Sequence, residues 1–180
     1  SGKQLISLNL KDEDDIKAFH NLLSKADIFL TNTRAKALKK LKLDYDTLSA
    51  LYPKLIMAHF TGYGLEGKDK DRPAFDYGAF WLRTGGSLSW QTPNSFPLRP
   101  SLGFADTAAA GSLTTGILAA IIGREKTGKG TYVTTSLFEN GLWFNAMALL
   151  GVQHGKKFQP ERTDAMDPFT HYYETSDGKW

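Results

Sequence analysis

The 180-residue sequence contains no cysteine. That absence excludes a disulfide scaffold, a thiolate zinc site and a cysteine nucleophile together. It fits a reducing compartment, and a cytoplasmic location is expected. Long apolar runs are also missing: the longest uncharged stretch, Thr107 to Gly123, is threaded with Gly, Ser and Thr and falls short of the ~20 apolar residues of a spanning helix. No membrane segment is expected. Net charge is small too, since 22 Lys+Arg stand against 19 Asp+Glu for a formal net charge of +3. That is a weak footprint for nucleic acid, and no base-reading motif accompanies it. Neither Gly-x-Ser-x-Gly nor a P-loop occurs, so the signatures of serine hydrolases and NTP hydrolases are lacking. His20, His59, His154 and His171 show no i, i+4 pairing, and no metal site is expected.

What is present is a globular composition, 41% hydrophobic and 23% charged, which excludes disorder and leaves enough apolar mass for one core. The chain opens on Ser1-Gly2-Lys3-Gln4 without an initiator Met and closes on Asp177-Gly178-Lys179-Trp180, a turn signal with the start of a returning strand. A fragment cut at both ends is expected.

Leu5 to Leu10 alternates apolar and polar and predicts a strand; Asp12 to Asp15 then place acid where a helix begins, with Ile16, Phe19, Leu22 and Leu23 at helical spacing. A short buried strand, Asp27 to Asn32, completes a βαβ unit and implies a parallel sheet. Short helices over Ala35 to Leu41 and from Asp44 to Leu51 precede a strand, Lys54 to Phe60. This strand ends in Thr61-Gly62-Tyr63-Gly64, at the end of a strand where open α/β sheets place ligands. Phe75 to Trp81 predicts an aromatic-rich helix, and Thr84 to Pro100 a long loop with room for a short hairpin. The small residues from Thr107 to Gly116 predict a buried central helix, followed by a strand at Thr131 to Thr135 and one amphipathic helix from Phe138 to Leu150.

Two features could carry chemistry. Asp106 follows Gly103-Phe104-Ala105 at a loop-to-helix junction, with no charged residue near it in sequence. An accessible carboxylate there is a competent acyl acceptor, but from sequence alone a helix cap is the favoured reading, and the two roles can coexist. The second feature is Arg34, Lys36, Lys39, Lys40 and Lys42, five cations in nine residues, which suit phosphate or simply a solvated face.

Several segments, in order, resemble the family III CoA-transferases. They are Ala26 to Leu41, Tyr52 to Ile56 with Thr61 to Gly64, Asp71 to Tyr77, Gly103 to Asp106, and Lys126 to Gly130. The Asp71 to Tyr77 stretch and Pro53-Lys54-Leu55-Ile56 look most like the branch acting on 2-hydroxy acids. The resemblance implies a Rossmann-like open parallel sheet with helices on both faces, the central part of a large domain. An opening strand and helix and a C-terminal small domain are expected outside residues 1–180. It also implies CoA transfer between an acyl-CoA and a free carboxylic acid, with coenzyme A as substrate and no tightly bound cofactor. The full enzymes resemble interlocked ring homodimers, so this chain alone is expected to be inactive or nearly so.

Asp106 matches the family's catalytic aspartate, which forms a mixed anhydride and then an aspartyl-CoA thioester. Arg34 and Lys40 match basic positions against the CoA phosphates, and Asn32, Tyr63, Phe75 and Asp76 are expected around the same ligand. Related α-methylacyl-CoA racemases carry a His before the Asp that matches Asp76; Phe75 stands there instead and cannot exchange a proton. Transfer is therefore preferred, with an acyl-CoA racemase or epimerase, and a non-catalytic CoA-binding or assembly domain, as alternatives. The family often has Gly before the catalytic aspartate, and the methyl of Ala105 is expected to narrow the approach of substrate. Trp81, Trp90 and Phe96 are candidates for pocket lining, although such aromatics are more often core.

Overall fold

The computed structural model describes residues 2–156, 169 and 173–179, so His171 and Trp180 lie outside the described residues. Helix α1 (Glu13–Leu23) starts where the acidic run predicts, with the Asp12 carboxylate accepting from the amides of Asp14 and Asp15. Three further acids in the first turn suit the positive end of the helix dipole. Strand β1 (Ile28–Thr31), helices α2 (Ala35–Lys40) and α3 (Tyr45–Leu51), and strand β2 (Ile56–Thr61) follow. Asp44 caps α3 through the amide of Thr47. A π-helix (Tyr77–Leu82) and the short α4 (Gly86–Ser89) lead into the 24-residue α5 (Phe104–Thr127). Strand β3 (Tyr132–Ser136), α6 (Leu137–Phe144) and α7 (Ala146–Gln153) end the order.

The three strands form a parallel sheet in the order β1-β2-β3. Ile28 stands beside Ile56 at one end and Thr61 beside Ser136 at the other. Central β2 is buried from Ile56 to His59, as a strand covered on both faces must be. On one face Leu23, Leu38, Leu43, Leu48, Leu55 and Met57 form a core with α1, α2 and α3. On the other, Ala79, Phe80, Trp81, Ala105, Ala109 and Leu137 join the π-helix to α5 and α6. Arg124 ties the far end of α5 to the strand beginnings, donating to the Asp27 carboxylate at 2.9 Å and to the carbonyls of Asp27 and Lys54. The predicted open α/β layering is therefore present. All three strands point their carboxyl ends the same way, so the segments after Thr31 and Thr61 emerge side by side.

Four expectations give way. Leu5 to Leu10 runs without strand pairing, and Leu5 is 97% exposed, because no neighbour completes a ladder beside it. Phe75 to Trp81 forms not an α-helix but the π-turn, closed by Arg83 N donating to the Gly78 carbonyl five residues back at 3.0 Å. Its wider turn buries the adjacent Phe80 and Trp81 together. The Thr84 to Pro100 loop holds α4 and no hairpin. The helix after β3 breaks at Asn145, whose side chain donates to the Gly141 carbonyl and to the Thr84 hydroxyl.

Helix α5 is also longer than the uncharged stretch suggests. It extends past the uncharged stretch on both sides, and among the described residues it is long and apolar enough to cross a membrane by length and composition. It packs Ala105, Ala109, Leu113 and Ala120 inward and leaves Leu118 and Ile122 exposed.

Candidate functional site

At the carboxyl ends of β1 and β2 lies a cavity of about 560 Å³. Asn32, Arg34, Lys36 and Lys39 reach it from the segment after β1, and Gly62 and Gly64 from the turn after β2. The third wall is the loop 70–75, which contributes Lys70, Arg72 and Phe75. Five cations thus face a space with one carboxylate, Asp71, in its lining. Among the described residues Arg34, Lys36, Lys39 and Lys70 make no ion pair, so their charge is available to an anion.

Beneath the cavity sits His59, fully buried on β2. One ring nitrogen is 2.8 Å from the Thr33 carbonyl and the other 2.7 Å from the Tyr132 hydroxyl. Burial lowers its pKa, partly offset by the bond to Thr33, so the neutral ring donates to Thr33 and accepts from Tyr132. His59 is thus a core residue with both ring nitrogens satisfied, and it also anchors the peptide between Asn32 and Arg34.

Asp106 stands exposed at the third position of α5. It does not cap the helix. That place belongs to Gly103, in a left-handed conformation at φ 77° that a side chain rarely tolerates. The missing cap is supplied from far away: Asp76 Oδ2 accepts from the amides of Ala105 at 2.9 Å and Asp106 at 3.1 Å. Asp106 is therefore not isolated, as its sequence neighbourhood suggests, but held beside a second carboxylate. Its pKa is raised, by desolvation first and by the charge of Asp76 second.

The structure sorts the other expected residues. Asn32, Arg34 and Phe75 line the cavity, with Phe75 84% exposed at its edge. Lys40 is outside the lining, where Lys36 and Lys39 stand instead. Tyr63 packs in the second core against Phe138 at 6.1 Å. Asp76 meets the start of α5 rather than the cavity. The Ala105 side chain is fully buried in the core, so its methyl does not obstruct the face on which Asp106 is exposed. Of the aromatics, Trp81 is core, while Trp90 is half-exposed and Phe96 is 94% exposed. Lys70 and Arg72 also line the cavity, and the sequence pattern does not single them out. The signal for them is weak, since only the fold carries that loop back over the strand ends. Among the described residues no three His, Asp or Glu side chains gather as a metal site would need.

A doubly covered parallel sheet with a cationic cavity at its strand ends, and an exposed carboxylate at the start of a helix packed on that sheet, defines a class of α/β ligand-binding proteins. The family model described as CoA-transferase family III matches residues 1–180, and the chain belongs to that family. It is 37% identical over 178 residues to (R)-2-hydroxy-4-methylpentanoate CoA-transferase of Clostridioides difficile, covering 99% of this chain and 45% of that protein. It is 39% identical over 180 residues to cinnamoyl-CoA:phenyllactate CoA-transferase of Clostridium sporogenes, covering 98% and 44%. Among solved structures, a CAIB/BAIF family protein from Brucella suis superposes with a TM-score of 0.81 at 27% identity, covering 89% of this chain and 42% of that one. Rv3272 from Mycobacterium tuberculosis gives 0.78 at 26% identity, covering 87% and 44%. The chain spans less than half the length of these relatives.

Proposed function

We propose that this chain carries the nucleophile and part of the CoA site of an enzyme that moves coenzyme A between an acyl-CoA and a free carboxylic acid. The two relatives above support a 2-hydroxy acid as one partner of the exchange. The carrying observation is the exposed carboxylate of Asp106, which among the described residues makes no ion pair and is fixed by its backbone to Asp76.

In this reading an Asp106 oxygen attacks the thioester carbonyl, the C–S bond breaks, and CoA leaves as a thiolate. The thiolate then attacks the Asp106 carbonyl of the mixed anhydride, releasing the first acid and leaving an aspartyl-CoA thioester. The acceptor carboxylate reverses both steps and departs as the new acyl-CoA. Arg34, Lys36, Lys39, Lys70 and Arg72 hold the CoA phosphates in the cavity. Coenzyme A is thus a substrate, and the rest of the large domain, a small domain and a second copy in a homodimer complete the enzyme. Phe75 at the cavity edge, with no proton to exchange, supports transfer over racemisation.

The test is covalent. The full-length parent is incubated with an acyl-CoA and trapped with hydroxylamine or borohydride, and its peptides are mapped by mass spectrometry. Modification on Asp106 is the expected result. Binding of CoA without modification across a panel of acyl-CoAs would sink this reading and favour a racemase or a non-catalytic module.

A further inference from the structure

We propose that Asp76 is a positioning residue for the nucleophile, fixing where Asp106 stands at the start of α5 and disfavouring its free carboxylate relative to its acylated form. This rests on the reading of Asp106 as nucleophile.

The geometry begins with a deficit. The first amides of α5 have no partners within the helix, and Gly103 at the cap has no side chain to offer. Thr107 N reaches the Gly103 carbonyl, and Phe104 N the Ser101 carbonyl. The remaining two amides both go to one oxygen of Asp76, a residue 30 positions before Asp106. Asp76 is itself fixed, because the π-helix it begins buries Ala79, Phe80 and Trp81 in the core shared with α5. The catalytic peptide is thereby locked to the core by a charge-assisted pair of bonds.

The same oxygen atoms put a negative charge beside Asp106. Among the described residues neither carboxylate has an ion-pair partner, and Asp76 is the charged group whose field bears on Asp106. Acylation removes this repulsion: the Asp106 oxygen bonds to the acyl carbon, the C–S bond breaks, and the negative charge leaves on the CoA sulfur. A carboxylate held above its ordinary pKa is also the stronger nucleophile in its ionised form.

The experiment uses the full-length parent, with Asp76→Asn and Asp76→Ala. Single-turnover labelling of Asp106 by an acyl-CoA is followed across pH, with CoA affinity measured separately and folding checked by circular dichroism. Asparagine keeps an acceptor oxygen but no charge, so Asp76→Asn is expected to label about tenfold more slowly. Its acid limb should move to lower pH with CoA affinity unchanged, and Asp76→Ala should be slower still. Wild-type labelling by Asp76→Asn, with the acid limb unmoved, overturns the proposal, since a mere cap is restored by asparagine. Should neither variant fold, the unsubstituted protein still tests the effect of the neighbouring charge: an acid limb at or below the ordinary aspartate value of about 3.9 overturns the proposal. Absence of label on Asp106 in the unsubstituted protein overturns the nucleophile reading and this one with it.

Discussion

His59 shows how one buried side chain links the sheet to the cavity. Its two hydrogen bonds hold the Thr33 carbonyl and the Tyr132 hydroxyl, and Tyr132 in turn stacks on Tyr45 at 4.8 Å. His59→Leu leaves both polar groups without their partner, at a cost of about 2–4 kcal/mol in urea unfolding at pH 8. The pH dependence has a definite sign. The folded pKa of His59 is lowered, so below about 6.5 the unfolded chain takes up a proton that the native ring refuses, and stability falls with pH. His59 thus contributes fully above that value and progressively less below it. Raised Asp106 acts in the opposite direction, but only in the more acidic carboxylate range. Melting temperatures between pH 8 and pH 5.5 should fall in the wild-type protein and stay flatter in His59→Leu. An equal fall in both would show that His59 is not the titrating group.

At the scale of elements, what was legible in the sequence is what local pattern governs. The acidic cap of α1, Asp44 before α3 and the apolar runs of β1 and β2 each carry their own signal. Leu5 to Leu10 has the pattern of a strand too, but pairing needs a neighbour, which no pattern supplies. The partnership of Asp76 with the α5 start is likewise invisible, since it joins residues 30 apart through a turn whose π geometry has no distinct periodicity. The close approach of Gly62 to the cavity loop belongs to the same class. A Cβ there would lie 2.1 Å from the Ala74 Cβ, and neither methyl can rotate away. The Gly62 carbonyl also accepts from Phe138 N, so the turn is pinned and the loop 70–75 must yield. Gly62→Ala should cost about 1–3 kcal/mol of stability and weaken CoA binding in calorimetric titration, with Ala74→Gly restoring both in the double variant. Unchanged affinity in Gly62→Ala would mean that Lys70 and Arg72 do not hold the ligand.

For the molecule as a whole, the surface is as informative as the cavity. Leu118 and Ile122 on α5 are each 56% exposed, Trp143 on α6 is 79% exposed, and Met147 and Leu150 on α7 are 83% and 50% exposed. Large apolar side chains left open on three helices in this way are what a monomer in water normally covers. The chain meanwhile spans 44–45% of the two CoA-transferases it matches at 37–39% identity. Both facts are explained if the apolar helix faces and the outer edge of the sheet meet further structure, either more of the same polypeptide or a second copy. The purified 180-residue chain should then bind a hydrophobic dye, self-associate in size-exclusion chromatography and show no appreciable CoA transfer, while still binding CoA through its cationic cavity. The affinity of that residual binding should fall as salt rises, because point charges on Lys and Arg provide it. Robust transfer by the isolated chain would show instead that residues 1–180 hold a complete site and that the exposed faces serve another purpose.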